Sequence, residues 1–368
     1  MKKVLIYDCV YGHGECLTSY IYYFQKLGYT VDVCARESVL NENPLSLIDT
    51  KEINIFSMTD KVDGFQELSR LVDLSEYDII FFATFNREEY MISVKVANKF
   101  PDIIILYQEH SHIQHFLKEA GNDDRIIKNA FCLGDIEELP QVSPVYFGKV
   151  KKLVKKENSL SLIISGLDKI HEEAYKRFVK AIDELVKDGY NISVKVCGIR
   201  GDWKYTKSKN IEVLGRIPFN ELYDLYQNTD FLVVLFDQYA KTDKETQIEF
   251  MSGRTSGSRQ GSIGFQIPLI IQKGYLKSWG LSNNNCISFD RNNIKSAIVK
   301  AYNLSNEDYS KMNKSLFALQ KKYIDKSVKN ISDKLKEISE NPSKYKILKP
   351  VVKRIIRINP DGTRTIIR

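Results

Sequence analysis

The stretch from residue 211 to residue 272 constrains the fold more than any other part of the chain. It opens with a predicted strand at residues 211–214, and Pro218 then precedes a segment whose apolar residues recur at helical spacing. The continuous apolar run at residues 231–236 is too short for a helix and is typical of a strand covered on both faces. A loop rich in glycine and serine follows, and Pro268 begins a further apolar run. Strands that alternate with helices in this way predict an α/β domain with a parallel sheet.

The loop between those two strands has a composition that suits anion binding. Gly253, Gly257 and Gly261 are spaced among serine and threonine residues, and the loop leads into a predicted helix start. Glycine lets the backbone approach a ligand closely, and the N–H groups at a helix start attract a phosphate. Arg254 and Arg259 could add charge-assisted hydrogen bonds to the same anion. The alternative is a surface loop that binds nothing, because a Gly/Ser loop alone is a weak motif.

The start of the chain repeats the α/β pattern. An apolar strand at residues 3–7 is followed by a turn with Gly12 and Gly14, a helix that ends at Gly28, and a second strand at residues 30–34. This order is a βαβ unit of the doubly wound kind. A dinucleotide-binding fold would need a third glycine in the turn and an acidic residue after the second strand. Both are missing, which argues against a dehydrogenase.

Three more largely apolar segments predict the remaining strands of this first unit, at residues 77–83, 103–107 and 130–133. Residues 41–76 are charged and are predicted to form short helices and loops. The strand at residues 103–107 runs into a polar segment that contains His110, His112 and His115. Three ligands at this spacing do not fall on one helix face, so a zinc site is disfavoured.

The order of these motifs resembles that of the GT-B glycosyltransferases, especially the bacterial retaining, family 4-like enzymes of polysaccharide assembly. Residues 213–217 match the family's strand and glycine before the nucleotide-sugar site, and residues 221–226 match the helix that follows. Residues 263–270 match its helix-to-strand segment, which ends in G-x-P-V-I. The family usually places two glutamates in the intervening loop and helix, and those positions fall near Gly253 and Gly261. The usual paired glutamates are therefore missing or displaced.

The resemblance implies a set of site residues. His13 stands where inverting members of the fold carry the histidine that takes the acceptor's proton, and its alternative role is to cap a helix or lie in solvent. His110 or His112 occupies the place of a histidine that contacts the donor sugar, and the sequence does not separate the two. Glu245 or Glu249 could replace the missing acidic pair. The residues expected to bind the donor are Gly12, Gly14, Glu15, Gly166, Lys169, Gly198, Arg200, Arg254, Ser256, Gly257, Ser258, Arg259, Gln260 and Ser262.

The resemblance also implies the fold class and the activity. We expect an α/β protein with two doubly wound, Rossmann-like domains that face a cleft, in agreement with a length of 368 residues. The expected parts are an acceptor-side domain at residues 1–148, a linker at 149–158, a nucleotide-sugar-binding domain at 159–305, helices that cross back to the first domain at 306–340, and a basic tail at 341–368. The implied enzyme is a metal-independent, hexosyltransferase-type glycosyltransferase without a cofactor. It would move a sugar from a nucleotide-diphosphate donor, with a UDP-sugar as first choice, to a glycan or lipid-linked acceptor of bacterial surface polysaccharide or glycoconjugate assembly. The alternative is a catalytically lapsed scaffold that binds nucleotide sugars.

Cysteine usage and charge bear on location and partners. Six scattered cysteines without a C-x-x-C pair are typical of reduced thiols in a cytoplasmic protein. The net charge is +7, and residues 341–368 hold eight basic residues and one acid, so the rest of the chain is close to neutral. This distribution argues against a nucleic-acid partner and suggests a tether to an anionic surface. Apolar and basic residues alternate over 345–358, which predicts a helix that begins at Pro350 and holds the protein at the inner face of the cell membrane. The alternative is a final packed strand or a solvated tail.

Overall fold

The computed structural model describes residues 2–8, 13–59, 64–110, 124–134, 139–151, 154–199, 207–239, 244–291, 293–346, 355–358 and 364–367. The strands of these residues form two six-stranded sheets and one short hairpin. Each large sheet is parallel throughout, and helices connect its successive strands. The predicted α/β class with two doubly wound units is confirmed.

The first sheet is built from the N-terminal third of the chain. Its strands are β1 (Lys3–Asp8), β2 (Thr30–Arg36), β3 (Ile55–Met58), β4 (Ile79–Phe82), β5 (Ile104–Glu109) and β6 (Ala130–Cys132). They pair in the order β3-β2-β1-β4-β5-β6. The order reverses between β1 and β4, which are buried on both faces, so the crevice of a doubly wound sheet lies at their carboxyl ends.

Strand β3 is a correction to the sequence analysis. Residues 41–76 were expected to form short helices and loops, whereas Ile55–Met58 pairs in parallel with β2. β3 lies at the edge of the sheet, and only Met58 of its four residues is buried. The strand therefore has no continuous apolar run, which is the signal that located the central strands.

The second sheet repeats the same topology. Its strands are β7 (Leu160–Leu167), β8 (Ile192–Ile199), β9 (Ile211–Gly215), β10 (Phe231–Val233), β11 (Leu269–Gln272) and β12 (Cys286–Phe289). They pair in the order β12-β11-β10-β7-β8-β9, so the order reverses between β7 and β10. The carboxyl ends of these two strands mark the second crevice of the molecule.

The helices cover the faces of both sheets. They are α1 (Leu17–Lys26), α2 (Glu37–Leu40), α3 (Gly64–Leu71), α4 (Arg87–Lys99), α5 (Asp124–Lys128), α6 (Glu172–Lys187), α7 (Phe219–Tyr226), α8 (Lys244–Met251), α9 (Gly257–Phe265), α10 (Ile294–Tyr302), α11 (Asn306–Glu340) and α12 (Pro342–Tyr345). Helix α1 shows why they form: Leu17, Tyr20, Ile21 and Phe24 recur at helical spacing and are buried. The helix stops before Gly28, which adopts the left-handed conformation with a φ of 82°.

The long helix α11 binds to both halves of the molecule. Gln320 Nε2 donates to the carbonyl oxygen of Val145 at 2.8 Å and to that of Gly264 at 3.1 Å. The backbone N–H of Ser143, which follows the first sheet, donates to Ser327 Oγ at 3.0 Å. These bonds fix α11 against the connection between the sheets and against α9.

Direct contacts also join the two sheets near their crevices. The backbone N–H of Phe219 donates to the carbonyl oxygen of Glu42 at 2.8 Å, and Arg216 Nη2 lies 2.5 Å from Glu42 Oε1. Gly134, just after β6, lies so close to Gly253 that a Cβ at Gly134 would come within 1.9 Å of the Gly253 carbonyl oxygen. The loop before α9 is therefore seated directly on the first sheet.

The C-terminal tail corrects a second prediction. Strands β13 (Ile355–Ile358) and β14 (Arg364–Ile367) form an antiparallel hairpin. The predicted helix is therefore wrong for residues 355–358, where β-branched isoleucines favour a strand. Pro350, its predicted start, lies outside the described residues. In the described part of the chain, no helix combines the length and the apolar character that a membrane span requires.

Candidate active site

Two histidines meet at the crevice of the first sheet. His13 follows β1 and precedes a 3-10 turn at Gly14–Cys16, and His110 directly follows β5. Their ring centroids are 4.5 Å apart, and the ring planes are tilted by 58°. The two loops are neighbours because β4 alone separates β1 from β5 in the sheet. The structure thus brings together two of the three predicted catalytic residues, and the third, His112, lies outside the described residues.

The contacts of His110 define its protonation state. Its Nε2 lies 2.7 Å from the carbonyl oxygen of Ala83 and 3.4 Å from Thr84 Oγ1. A carbonyl oxygen only accepts, so Nε2 carries the proton. Burial lowers the pKa of His110 well below its usual value, and the neighbouring His13 lowers this pKa further. His110 is therefore neutral near pH 7, with a lone pair on Nδ1, which is shielded from solvent and has no hydrogen-bond partner among the described residues.

Glu15 bridges the two halves of the crevice. Its Oε1 lies 3.9 Å from the position that a Cβ would take at Gly257, the first residue of α9. Burial raises the pKa of Tyr223 well above its usual range, and the charge of Glu15 is the next cause. Burial also raises the pKa of Tyr226, and Glu15 contributes to that increase. The Glu15 carboxylate thus faces the start of α9 in the second half of the molecule.

The start of α9 is a capped helix terminus with an exposed first residue. Ser256 is the N-cap, and its Oγ accepts from the backbone N–H of Arg259 at 3.4 Å. Gly257 is exposed, and Ser258 Oγ donates to the carbonyl oxygen of Ser165 at 3.0 Å, near the end of β7. The first N–H groups of a helix have no partner within it, and they carry a partial positive charge. This terminus therefore faces the crevice of the second sheet with open backbone donors.

Three predicted binding residues of α9 are buried inside the domain. Arg259 is 2% exposed, and its Nε donates to the carbonyl oxygen of Trp279 at 2.8 Å while its guanidinium lies over the ring of Tyr323. Gln260 is buried as well, and Ser262 Oγ donates to the Ile267 carbonyl oxygen at 2.6 Å. These positions do not suit the predicted contact with a phosphate. They lie beyond the first exposed residues of α9, where the helix packs against its own domain.

Backbone conformation and packing explain why glycine occupies the two positions where the family usually has glutamates. Gly253 has a φ of 120°, which favours glycine, and its carbonyl oxygen lies against Gly134. A Cβ at Gly261 would lie 2.8 Å from the ring of Tyr226. The backbone conformation at Gly253 and the Tyr226 ring beside Gly261 therefore disfavour a carboxylate side chain at these positions. Glu249, one of the two suggested replacements, lies 2.5 Å from Arg254 Nη1.

The remaining predicted residues are spread over both sheets. Gly166 and Gly198 lie side by side at the carboxyl ends of β7 and β8, and both have a positive φ. Lys169 is exposed at the start of a 3-10 turn, after the N-cap residue Asp168. Gly14 packs closely against Val39, Pro44 and Phe219. Gly12 and Arg200 lie outside the described residues.

Sequence reasoning missed several buried polar residues at the carboxyl ends of strands. Asp8 ends β1 and Glu109 ends β5, and both are buried beside the histidine loops. Asp237 follows β10, lies 2.5 Å from Arg177 Nη2 and accepts from Gln272 Nε2 at 3.2 Å. Burial alone would raise the pKa of Asp237. Hydrogen bonds from the Tyr239 backbone N–H, Arg177 and Gln272 instead hold this pKa below its usual range. An acidic residue directly after an apolar run was the available signal for Asp8 and Asp237, whereas Gln108 separates Glu109 from its apolar run.

The chain is similar to known proteins in its fold rather than in its sequence. No protein-family model and no curated protein sequence matches the chain. Solved structures do match. An alpha-glucosyltransferase in complex with UDP aligns with 86% of this chain and 96% of its own, at 13% identity and a TM-score of 0.56. The glycosyltransferase of kitacinnamycin aligns with 91% of this chain and 99% of its own, at 12% identity and a TM-score of 0.51. The chain has the GT-B fold.

A third solved structure extends this likeness. MnaA of S. aureus, solved with UDP, covers 85% of this chain and 91% of its own at 10% identity and a TM-score of 0.51. All three alignments span both sheets, because each covers more than four fifths of the chain. In the GT-B fold of this protein, the His13–His110 pair lies on one side of the cleft and the start of α9 on the other.

Proposed function

We propose that the protein is a glycosyltransferase that moves a sugar from a nucleotide-diphosphate donor, a UDP-sugar first, to a glycan or lipid-linked acceptor in bacterial surface polysaccharide or glycoconjugate assembly. One observation carries the proposal: Glu15 Oε1 approaches the Gly257 Cβ position to 3.9 Å. A diphosphate at the start of α9 would therefore lie beside the loop that holds His13. The solved structures with UDP support the choice of nucleotide, because they share the fold.

The donor side supplies charge neutralisation. The leaving group of the reaction is a nucleoside diphosphate, whose charge increases as the bond to the sugar breaks. Backbone N–H groups at Gly257 and Ser258 would bind the diphosphate oxygens, and Lys169 would add a positive charge from the end of β7. Arg254 is available only if it exchanges Glu249 for phosphate, since the two side chains are paired. No metal is required in this arrangement.

The acceptor side supplies a base. The acceptor hydroxyl oxygen forms a bond to the anomeric carbon, the bond between that carbon and the diphosphate oxygen breaks, and the hydroxyl proton must leave. In our proposal His13 takes this proton, since an imidazole is a suitable base near neutral pH. His110 acts as its neutral neighbour. A positive charge on one ring disfavours a second on the other, so the two rings do not both carry a positive charge near pH 7.

This assignment favours inversion at the anomeric carbon, without excluding a retaining route in which His110 contacts the donor sugar. The glycines at positions 253 and 261 support the inverting choice, because the positive φ of Gly253 and the Tyr226 ring beside Gly261 disfavour the carboxylate side chains of the retaining family. Cytoplasmic location and attachment through the tail remain part of the proposal.

The same two glycines favour a second candidate function, a scaffold that binds nucleotide sugars without turnover. The two candidates differ in one measurable quantity, the rate of sugar transfer or donor hydrolysis at saturating donor.

A nucleotide screen followed by one substitution tests the proposal. UDP, GDP, ADP and CMP and their sugars are added to the protein, and a ligand bound by the native state alone raises its melting temperature. His13→Gln should then leave the shift for the best donor unchanged while it lowers turnover. A shift with no turnover for any donor and acceptor pair would favour the scaffold. No shift with any nucleotide would overturn both functions.

A further inference from the structure

The buried carboxylate of Asp237 lies at the crevice of the second sheet, and the proposed reaction leaves it without a role. Asp237 is 1% exposed and follows Phe236, the last residue of an apolar run. The rings of Phe236 and His171 are 4.9 Å apart, and His171 ends the 3-10 turn that begins at Lys169. Asp237 therefore lies next to the turn after β7, at the point where the strand order reverses.

The partner of this carboxylate is an arginine of α6. Arg177 Nη2 lies 2.5 Å from Asp237 Oδ2. The other carboxylate oxygen accepts from the Tyr239 backbone N–H at 3.0 Å and from Gln272 Nε2 at 3.2 Å. Burial alone would raise the pKa of Asp237, but these bonds lower it below its usual range, so the carboxylate is ionised near pH 7. It therefore holds the guanidinium in a fixed orientation through a charge-assisted hydrogen bond.

The guanidinium of Arg177 is partly open to solvent. Its side chain is 26% exposed, and the bond to Asp237 uses only Nη2. Within the described part of the chain, no other acceptor bonds to this side chain, so the N–H groups on Nε and Nη1 are available to a ligand. Because Asp237 balances the charge, the pair is neutral overall and suits a hydroxyl oxygen better than a further anion.

Arg177 and the start of α9 approach the crevice from opposite faces of the sheet. Phe178 of α6 packs in the core that contains Leu162 of β7. Ile263 of α9 packs in the other core, which contains the next residue of β7, Ile163. Successive residues of a strand point to opposite faces, so α6 covers one face and α9 covers the other. A ligand that lies across the carboxyl ends of β7 and β10 can therefore contact both helices.

The spacing along the strands assigns different parts of a ligand to the two helices. Ser258, at the start of α9, donates to the carbonyl oxygen of Ser165. The parallel register of β7 and β10 places Asp237 level with Asp168, three residues after Ser165. At about 3.3 Å per residue, Asp237 and its arginine lie about 10 Å further along the strand direction than that contact. A diphosphate bound at the start of α9 would reach this pair through the group that it carries.

We propose that Arg177 binds the transferred sugar of the donor by donating to a hydroxyl oxygen of a neutral hexose, and that Asp237 is the positioning residue that orients the guanidinium. The inference rests on the proposed function and adds a determinant of donor specificity to it. The diphosphate lies at the start of α9, and the hexose extends from it to Arg177.

Calorimetric titration compares UDP with its sugars. UDP, UDP-glucose, UDP-galactose, UDP-N-acetylglucosamine and UDP-glucuronate are added to wild-type protein, to Arg177→Met and to Arg177→Lys. The lysine variant keeps a positive charge beside Asp237 but loses the planar fork of donors, so it serves if the methionine variant does not fold. Lys180→Met is the matched control, because Lys180 is a basic residue of the same helix, one turn farther from the crevice and 80% exposed.

The ratio of two dissociation constants decides the outcome. In both Arg177 variants, the Kd for UDP should stay within about threefold of the wild type, and the Kd for at least one neutral UDP-hexose should rise at least about tenfold. Lys180→Met should change neither. Equal losses for UDP and its sugars would place Arg177 at the phosphates and overturn the inference, as would no change in any Kd. If wild-type protein binds no nucleotide, the proposed function fails as well.

Deoxy sugars test the hydroxyl contact. Analogues of the best UDP-hexose that each lack one hydroxyl group are titrated into wild-type protein and Arg177→Met. With the analogue that lacks the contacted hydroxyl, the two proteins should have the same Kd within about threefold, because the interaction is absent from both. A loss of the same size with every analogue would overturn the hydroxyl contact. A loss confined to UDP-glucuronate would identify a carboxylate as the partner and overturn the neutral hexose.

Asp237→Asn tests the positioning role. Asparagine keeps an acceptor for the Tyr239 N–H and removes the charge opposite Arg177. The variant should lose affinity for the hexose donor and keep its affinity for UDP. The double variant of Arg177→Met and Asp237→Asn should lose no more than Arg177→Met alone, because the two residues act as a unit. Unchanged hexose affinity in Asp237→Asn, or additive losses in the double variant, would overturn the positioning role.

Discussion

The substitution Gly257→Ala separates nucleotide binding from stability at the start of α9. Gly257 is exposed, its φ lies outside the left-handed region, and an added Cβ would meet only Glu15 Oε1, at an ordinary distance of 3.9 Å. An alanine in place of glycine at a compatible position stabilises a protein by about 0.4–1 kcal/mol, mainly through the unfolded chain. For domains of this size the melting temperature should rise by at most about 4 °C.

Nucleotide binding should change in the opposite direction. A phosphate oxygen must come within about 3 Å of the backbone nitrogen to accept its hydrogen bond. The new methyl group would project into that approach path, because the space beyond Gly257 holds only the Glu15 carboxylate among the described residues. Loss of one hydrogen bond to a charged group costs about 1.5–3 kcal/mol, so the Kd for UDP should rise by about 10-fold to 150-fold.

Calorimetric titration with UDP and thermal unfolding of the same samples measure the two effects. Ser256→Ala, one residue earlier, is the contrasting variant: it removes the N-cap side chain and should lower stability by about 1 kcal/mol. If Gly257→Ala is folded and binds UDP as tightly as the wild type, the start of α9 is not the phosphate site.

Three further predictions follow from the same geometry. His13→Gln should lower turnover by about two to four orders of magnitude and leave the Kd of the donor within about threefold, as measured by UDP release and titration; a loss of turnover below tenfold would make His13 a structural residue. Gly134→Ala should destabilise the protein by at least about 1–3 kcal/mol in a urea titration, because a Cβ there would come within 1.9 Å of the Gly253 carbonyl oxygen; wild-type stability would contradict the close packing of the two halves. The depressed pKa of His110 means that the unfolded chain binds more protons, so its contribution to stability is complete above its usual pKa of about 6.5 and is lost as the pH falls below that value. His110→Gln keeps a donor for Ala83 and should flatten this dependence in unfolding titrations from pH 7 to pH 5, and an unchanged slope would assign it to other groups.

The sequence predicts the parts of this fold in which burial alone decides the structure. The central strands β1, β4 and β11 are short apolar runs, and each lies within about two residues of its predicted position. Edge strand β3 was missed, because its exposed face interrupts the apolar pattern. The tail hairpin shows a second limit of prediction from the sequence. Apolar and basic residues alternate there, and this pattern fits a surface helix or a strand equally well until the partner strand is known.

The sequence indicated an exposed start of α9, but it did not indicate which side chains of this helix are exposed. Glycine, serine and arginine in one loop indicated anion binding, yet Arg259 is buried beneath Trp279 and Tyr323. A loop composition does not state where the helix begins, and three residues after Ser256 the side chains already face inward. The position of Glu15 next to Gly257 could not be predicted from local sequence, because it depends on how the two sheets meet.

The position of Glu15 affects how a donor can bind in the cleft. Glu15 places a negative charge at a helix start that, under the proposed function, must receive a diphosphate. Two unit charges about 5 Å apart repel by roughly 3 kcal/mol in a partly screened site, which exceeds the attraction of about 0.3–2 kcal/mol that a helix terminus offers to either of them. The carboxylate and the diphosphate therefore cannot share the position without a cation, and Lys169 is the exposed residue that could supply one. Donor binding should accordingly move the Glu15 side chain, and His13, two residues before it on the same loop, toward the acceptor side of the cleft. Under the proposed function, Glu15 is thus the residue through which the donor can set the position of His13, the proposed base.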